Sequence, residues 1–300
     1  MPKETSKKQP TGRPLSAIEL APEGVLAATI PHGSETPSYA FAPLAAGALV
    51  PGVAEANIHS QDAVVEAIRK ALGQLEPRER AVTMILPDTA VRVFVLDFDT
   101  LPQKAAEAIP VLRFRMRKMV PFDVEHAALS HQVLVQSESA VKVLATIMPG
   151  PVLAEYEAAV RAAGYEPGVV LPSSLASLAA LDSLEPILAA NLSGQALTTS
   201  ITSGQDLHLF RTVDLPEDPE ARIAEIQRSI AVAAAYYEDK LVARARRLHY
   251  SGIARTDDFA RVVADPELEV VDMVPNTGLG AITPLGPLSI AAISGALAGA

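Results

Sequence analysis

Three stretches of this 300-residue chain gather side chains whose types and spacing could do chemistry. Residues 189–211, AANLSGQALTTSITSGQDLHLFR, read as a β-hairpin built to hold a phosphate, yet the residues that should touch the phosphate are of the wrong types. Asp97-Phe98-Asp99-Thr100 follows the apolar run VFVL. One aspartate as nucleophile with a second two residues on as acid/base is the arrangement of a metal-dependent phosphatase. RFRMRK, residues 113–118, is the densest basic patch, and Phe114, Val120 and Phe122 set apolar anchors among its charges. Such interleaving suits a docking edge for an acidic partner or for anionic headgroups. A solvated helix face with cations near its C-terminus accounts for the same residues.

Other chemistries find little support. The six histidines, at 32, 59, 126, 131, 208 and 249, show no compact ligand spacing, and no metal site is expected. Cysteine is absent, which excludes disulfides and thiol nucleophiles. There is no Walker A segment, and Gly278-Leu279-Gly280 lacks a third glycine at dinucleotide spacing, so it reads as a turn. A net charge of −10 argues against nucleic acid as a partner.

The elements that must position these residues follow from periodicity. LSAIELAPEGVLAATI, 15–30, is a hairpin turning at Pro22-Glu23-Gly24. SQDAVVEAIRKALGQL is a helix with Val64, Val65, Ile68, Leu72 and Leu75 on one face, and AVTMILP is a strand ended by Pro87. After the VRVFVLDF strand, Pro110 is expected to break or kink the following helical region, giving a short turn and then a helix over about 111–119. HAALSHQVLVQ and VKVLATIMP pair as strands, and PGPVLAEYEAAVRAAGYEP is a helix, so 88–167 reads as an α+β unit inserted into a first domain of 15–87 plus 168–183. A second domain, 184–300, opens with two strands, ILAANL and ALTTSITSG-QDLHLFRTVDL. It continues with a long helix capped by Asp218, a strand, a shorter helix, a strand and an apolar terminal helix. Residues 1–14 read as a disordered tail without a secretory h-region, and the terminal apolar stretch is short of the ~20 residues a spanning helix needs. Each half therefore opens with a hairpin and proceeds to a helix and a strand.

That echo resembles the actin-like ATPase fold: α/β, two-lobed and ribonuclease H-like, with a small inserted α+β subdomain. More narrowly, MILPDTAVRVFVLDFDTLP, VLRFRMRKMVPFDVEHAALSHQVL, VKVLATIMPGPVLAEYEAAVRAAGYEP and IQRSIAVAAAYYEDKLVARARRLHYSGIA are similar to stretches of the PilM family of type IV pilus assembly proteins, relatives of FtsA. The resemblance implies a nucleotide site in which each hairpin starts Asp-hydrophobic-Gly. Here Glu19 stands at the first Asp position, Ala21 at its Gly and Leu26 at its Lys, with Gly24 in the turn. Asn191 stands at the second Asp position, Ser193 at its Gly and Ala196 at its hydroxyl, with Gly194 one residue late and Thr198 and Thr199 as remaining donors. The adenosine loop, which the resemblance gives paired glycines, is Ser251-Gly252-Ile253. These departures remove the magnesium-shell charge and the phosphate counter-charge. The expectation is a degenerate site: ATP and magnesium are the cofactors the fold would bring, and neither is expected to be held.

What the resemblance implies about function is a scaffold of a type IV pilus or related secretion platform, cytoplasmic and peripheral to the inner membrane. It would bind the short N-terminal tail of a bitopic partner of the PilN kind in a groove between the first domain and the insert. Phe114, Arg115, Lys118 and Phe122 are the expected contacts, and self-association is a further partner class. The alternatives are an ATP-dependent switch or filament on the same fold, and a haloacid-dehalogenase-like phosphatase using Asp97 and Asp99, whose family places before Thr a Gly that is missing here.

Overall fold

A computed structural model describes residues 13–137, 139–181, 183–204, 206–253, 255–274 and 286–298. The expected turn at Gly278-Leu279-Gly280 and most of the expected tail lie outside the described residues. The tail does end sooner than expected, because Pro14 is already buried beside Gly168.

Two five-stranded sheets with one shared plan dominate the molecule. In the first, β1 (Ser16–Ala21), β2 (Gly24–Thr29) and β3 (Ser38–Pro43) form an antiparallel meander. β4 (Ala81–Leu86) and β8 (Glu166–Pro172) join it in parallel, giving the order β3-β2-β1-β4-β8. In the second, β9 (Pro186–Ser193), β10 (Ala196–Ser203) and β11 (Asp206–Asp214) are the meander, and β12 (Arg247–Gly252) and β13 (Glu269–Asp272) are the parallel pair. The resulting order, β11-β10-β9-β12-β13, repeats the first. A two-lobed α/β architecture therefore follows from the topology itself. Helix α1 (Gln61–Gly73) links β3 to β4, and α5 (Pro219–Leu241) links β11 to β12. Each covers its sheet with the apolar face its periodicity laid down, Val64, Ile68 and Leu72 in α1 and Ile226, Ile230 and Ala233 in α5. Asp218 caps α5 as expected, accepting from the Ala221 N–H at 2.8 Å.

The insert holds a separate three-stranded sheet, ordered β5 (Arg92–Phe98), β7 (Val141–Pro149), β6 (Ala127–Gln136). Helix α2 (Ala105–Met116) lies on one face and buries Ala108, Leu112 and Met116 against Leu96, Val143 and Ile147. The helix runs through Pro110 rather than breaking there. The proline sits early enough to cost one backbone hydrogen bond, and residues recurring every four positions still bury a continuous face.

Helix α3 (Gly150–Ala162) does not pack with the insert as expected. Its Val152, Tyr156, Ala159 and Val160 share the first lobe's core with α1. Two parallel neighbours such as β4 and β8 require a crossover, usually a helix, and α3 is that crossover. The terminal helix α7 (Ala291–Leu297) likewise leaves the second half of the chain. Ala292, Ile293 and Ala296 pack on Ala17, Leu26 and Ile85 of the first sheet and on Ala176 of α4 (Ser173–Leu178). α4 and α7 thus lie between the lobes, touching the faces opposite α1 and α5. Sequence reading also missed β3 and β8, and it ran β10 and β11 together where Gly204 turns the chain at a φ of 57°. The remaining helix, α6 (Thr256–Val263), crosses from β12 to β13.

Candidate functional site

The parallel strands of both lobes end in the space between them. In open α/β sheets, ligands bind just beyond such carboxyl ends. β1 is buried on both faces, with Ile18 and Leu20 toward α1 and Ala17, Glu19 and Ala21 toward α7. β9 mirrors it, with Leu188, Ala190 and Leu192 toward α5 and Ile187, Ala189, Asn191 and Ser193 on the inter-lobe face. Strand alternation therefore delivers Glu19 and Asn191 to facing positions. β4 and β8 end side by side, Leu86 opposite Pro172, and each exits into a polar residue, Asp88 after Pro87 and Ser173 after Pro172.

These residues bond to one another, within the first lobe and across the cleft. Ser173 Oγ donates to Glu19 Oε1 at 2.9 Å and accepts from Asn191 Nδ2 at 3.2 Å. Asp88 Oδ1 accepts from the Ser174 N–H at 3.1 Å and from Ser174 Oγ at 3.0 Å, and its Oδ2 accepts from Thr198 Oγ1 at 3.0 Å. Thr198 Oγ1 lies 2.9 Å from Thr212 Oγ1, which must then be its donor. The Asp88 N–H donates to Ser193 Oγ at 3.3 Å. All of these groups except Thr212 are buried. Burial pushes the Glu19 carboxyl up to about 7, against the lowering hydrogen bond from Ser173, with the nearby Asp88 and Glu23 carboxylates adding to the rise. Burial also pushes Asp88 up to about 6, opposed by its bonds from Ser174 and Thr198 and by Arg92.

An actin-like fold implies ATP and magnesium here, and these residues do not fit them. The space enclosed by Glu19, Ser173, Asn191, Ser193, Ser251 and Gly252 is about 10 Å³, where ligand pockets run to ~300 Å³ or more. Leu26, at the position the resemblance gives to lysine, is buried in the apolar core under α7. Glu19 Oε2, Ser177 Oγ and Ser251 Oγ have no hydrogen-bond partner, and their residues line this small space. Asn191, at the second Asp position, brings no charge to a magnesium shell. Gly194 takes the left-handed first position of the hairpin turn at a φ of 60°. Gly252 is held by something other than a nucleotide: a Cβ there would strike the backbone of Leu192, its partner across the β9–β12 pairing. Gly24 opens β2 and does not line the cleft. Beside Ser251 and Gly252 lies a second, open cavity of about 420 Å³, lined by Arg255, Thr256, Asp257 and Asp272 among others.

The other expected sites fare differently. Asp97 and Asp99 are exposed, and Asp97 lies in an antiparallel sheet opposite Lys142. Among the described residues no three histidines or carboxylates converge as a metal would require. A groove does run between the first lobe and the insert, with an apolar cavity of about 140 Å³ lined by Val91, Leu129, Met148, Leu153, Val170 and Pro172 among others. None of Phe114, Arg115, Lys118 and Phe122 lines it. The insert's sheet has two faces, and α2 covers the one that carries Leu96, Val143 and Ile147. Phe114 and Arg115 are exposed on α2 and Lys118 is exposed just past its end, while Phe122 packs beneath the helix. Arg113 and Arg117 are occupied, donating to the Ala127 carbonyl and to Glu125.

Sequence reading missed Asp88, Ser173 and Ser174. Their one signal was a repeated pattern, Leu-Pro followed by a polar residue, at the ends of two strands that proved to be neighbours.

No protein-family model matches the chain, and no curated protein matches its sequence. Solved structures do match its fold. A structure described as a PilM–PilN type IV pilus biogenesis complex superposes with a TM-score of 0.68 at 17% identity, covering 95% of this chain and 98% of that one. A Bacteroides thetaiotaomicron protein, described as having an actin-like ATPase fold and unknown function, superposes with a TM-score of 0.51 at 9% identity, covering 93% of each chain. The chain has the actin-like fold.

Proposed function

We propose that this protein is a scaffold at the cytoplasmic face of an inner-membrane platform, of a type IV pilus or a related secretion apparatus. It captures the extended N-terminal tail of a partner that carries a single spanning helix. The apolar groove between the first lobe and the insert is the observation that carries this reading. It runs beside β8 and β6, the end strands of their sheets, whose free edges offer backbone N–H and C=O groups to an added strand. A cavity of about 140 Å³ is small for a metabolite and suits one apolar side chain of such a strand. The similarity to a pilus biogenesis complex supports the setting. Among the described residues no helix is long and apolar enough to cross a membrane, so a tail-binding partner would supply the attachment. The inter-lobe cleft, on this reading, does not turn over ATP.

The test is co-purification from cells with the full chain, then titration of a synthetic peptide of the recovered partner's N-terminus. Val170→Arg places a charge in the groove and should abolish peptide binding, while Phe114→Ser on the outer face of α2 should leave it intact. Peptide binding that survives Val170→Arg, or recovery of soluble proteins alone, would overturn the proposal.

One observation favours a second reading, an ATP-binding switch: the open cavity beside Ser251 and Gly252, at the loop the resemblance gives to adenosine. Titration of a fluorescent ATP analogue with magnesium separates the two. Saturable micromolar binding that is lost in Asn191→Ala would favour the switch.

A further inference from the structure

We infer that the closed cleft acts as a clasp through which the second lobe sets the geometry of the apolar groove. The groove's use as a tail site rests on the reading above, but the mechanical coupling does not.

The insert leaves the first lobe through the short segment 88–92, which joins β4 to β5. The second lobe holds that segment at both ends. At one end Asp88 accepts from Thr198 Oγ1 at 3.0 Å and donates its N–H to Ser193 Oγ at 3.3 Å, and both partners lie on the β9–β10 hairpin. At the other end Arg92 Nη2 meets Asp214 Oδ2, on the outer strand β11, at 3.1 Å. Between the two ties sits Val91, a wall of the groove. The opposite wall is rooted in the same carboxylate, because Asp88 Oδ1 also holds the Ser174 N–H and hydroxyl, two residues beyond the groove-lining Pro172. A rotation of the second lobe must break these bonds or carry segment 88–92 with it. Either outcome changes how the insert stands on the first lobe, and so the groove between them.

The clasp is complementary in a way a phosphate site is not. Across the cleft Thr198 donates to the Asp88 carboxylate and Asn191 to Ser173, while Ser193 accepts from the Asp88 N–H. Two walls that cradle an anion would both present donors. Here one wall presents a carboxylate, and direct bonds tie the two walls together.

Backbone hydrogen exchange of the full chain tests this without any partner. In Asp88→Asn, residues 89–93 and the groove walls, 126–130 and 168–172, should exchange about tenfold faster than in the wild type, while α1 is unchanged. Asp214→Ala alters an exposed second-lobe residue outside the groove and keeps the test available if Asp88→Asn fails to fold. It should speed exchange of the same segments by about two- to threefold. Faster exchange confined to the β9–β10 hairpin, with both groove walls unchanged, would overturn the coupling. So would slower exchange at 19–21 and 191–194 in wild-type protein given magnesium and ATP, since that result marks a nucleotide seat. Loss of peptide binding in Val170→Arg bears only on what occupies the groove, so the two readings can fail separately.

Discussion

The two lobes share a strand order and differ in what they bring to the space between them. The first sheet delivers carboxylates, Glu19 from β1 and Asp88 from the end of β4; the second delivers an amide and hydroxyls, Asn191, Ser193 and Thr198. Equivalent positions in equivalent hairpins have diverged in opposite senses. At Glu19 the cross-strand neighbour is Leu26, committed to the apolar core, and at Asn191 it is Thr198, committed to Asp88. Two similar walls would compete for a common ligand, whereas two complementary walls bind each other. A repeated fold can therefore close its own cleft when side chains of one copy bond directly to those of the other.

The sharpest way to break this comparison is to remove the first lobe's acceptor. Asp88→Ala strands two donors from Ser174 and one from Thr198 in a buried site, and should cost about 3 kcal/mol in urea denaturation. A cost under about 0.5 kcal/mol would show that the bonds across the cleft do not hold the lobes.

The next effect is one of pH. Glu19 is raised from 4.5 to about 7, so its contribution to stability is fully present below 4.5 and is lost as pH rises through about 7. In Glu19→Gln the fall in stability over that window, on the order of 1–3 kcal/mol, should disappear. What remains is the smaller fall from Asp88 between 3.8 and about 6. Urea midpoints measured from pH 4.5 to 8 check this, and an unchanged slope in Glu19→Gln would remove the carboxyl from the account.

On the donor side the penalty is smaller. Thr198→Val removes one of three donors to Asp88 and keeps the shape, so about 1 kcal/mol is expected. A loss equal to that of Asp88→Ala would mean the walls contribute alike. The smallest effect belongs to the insert's outer face. Phe114 is 77% exposed, and Phe114→Ser should move the denaturation midpoint by less than about 0.5 kcal/mol in equivalent stability.

Much of this was legible in the chain. Alternation in LSAIELAPEGVLAATI and ILAANL, and the face of Val64, Ile68 and Leu72, reported the hairpins and α1, because those patterns are local and each element buries the face its own spacing lays down. β8 was hidden because EPGVVLP carries two prolines and a glycine, which an outer strand tolerates since one of its edges needs no ladder bonds. Pro110 misled for a similar reason: packing against Leu96 and Val143 outweighed one lost backbone bond.

Residue pattern alone gives two hairpin-led halves, Glu19 and Asn191 at the positions the resemblance assigns to aspartate, and a chain without cysteine chemistry. Tertiary structure alone decided that α3 and α7 belong with the first lobe, that Phe114 and Arg115 face away from the groove, and that Asp88 is the joint between the lobes. Thr198 is 110 residues from Asp88 along the chain, and Ser173 is 154 from Glu19. Local periodicity tells a residue which face to bury. Which two faces meet, and which donor finds which acceptor, is set only when the packed sheets bring strand ends together and exclude the water that would otherwise satisfy them.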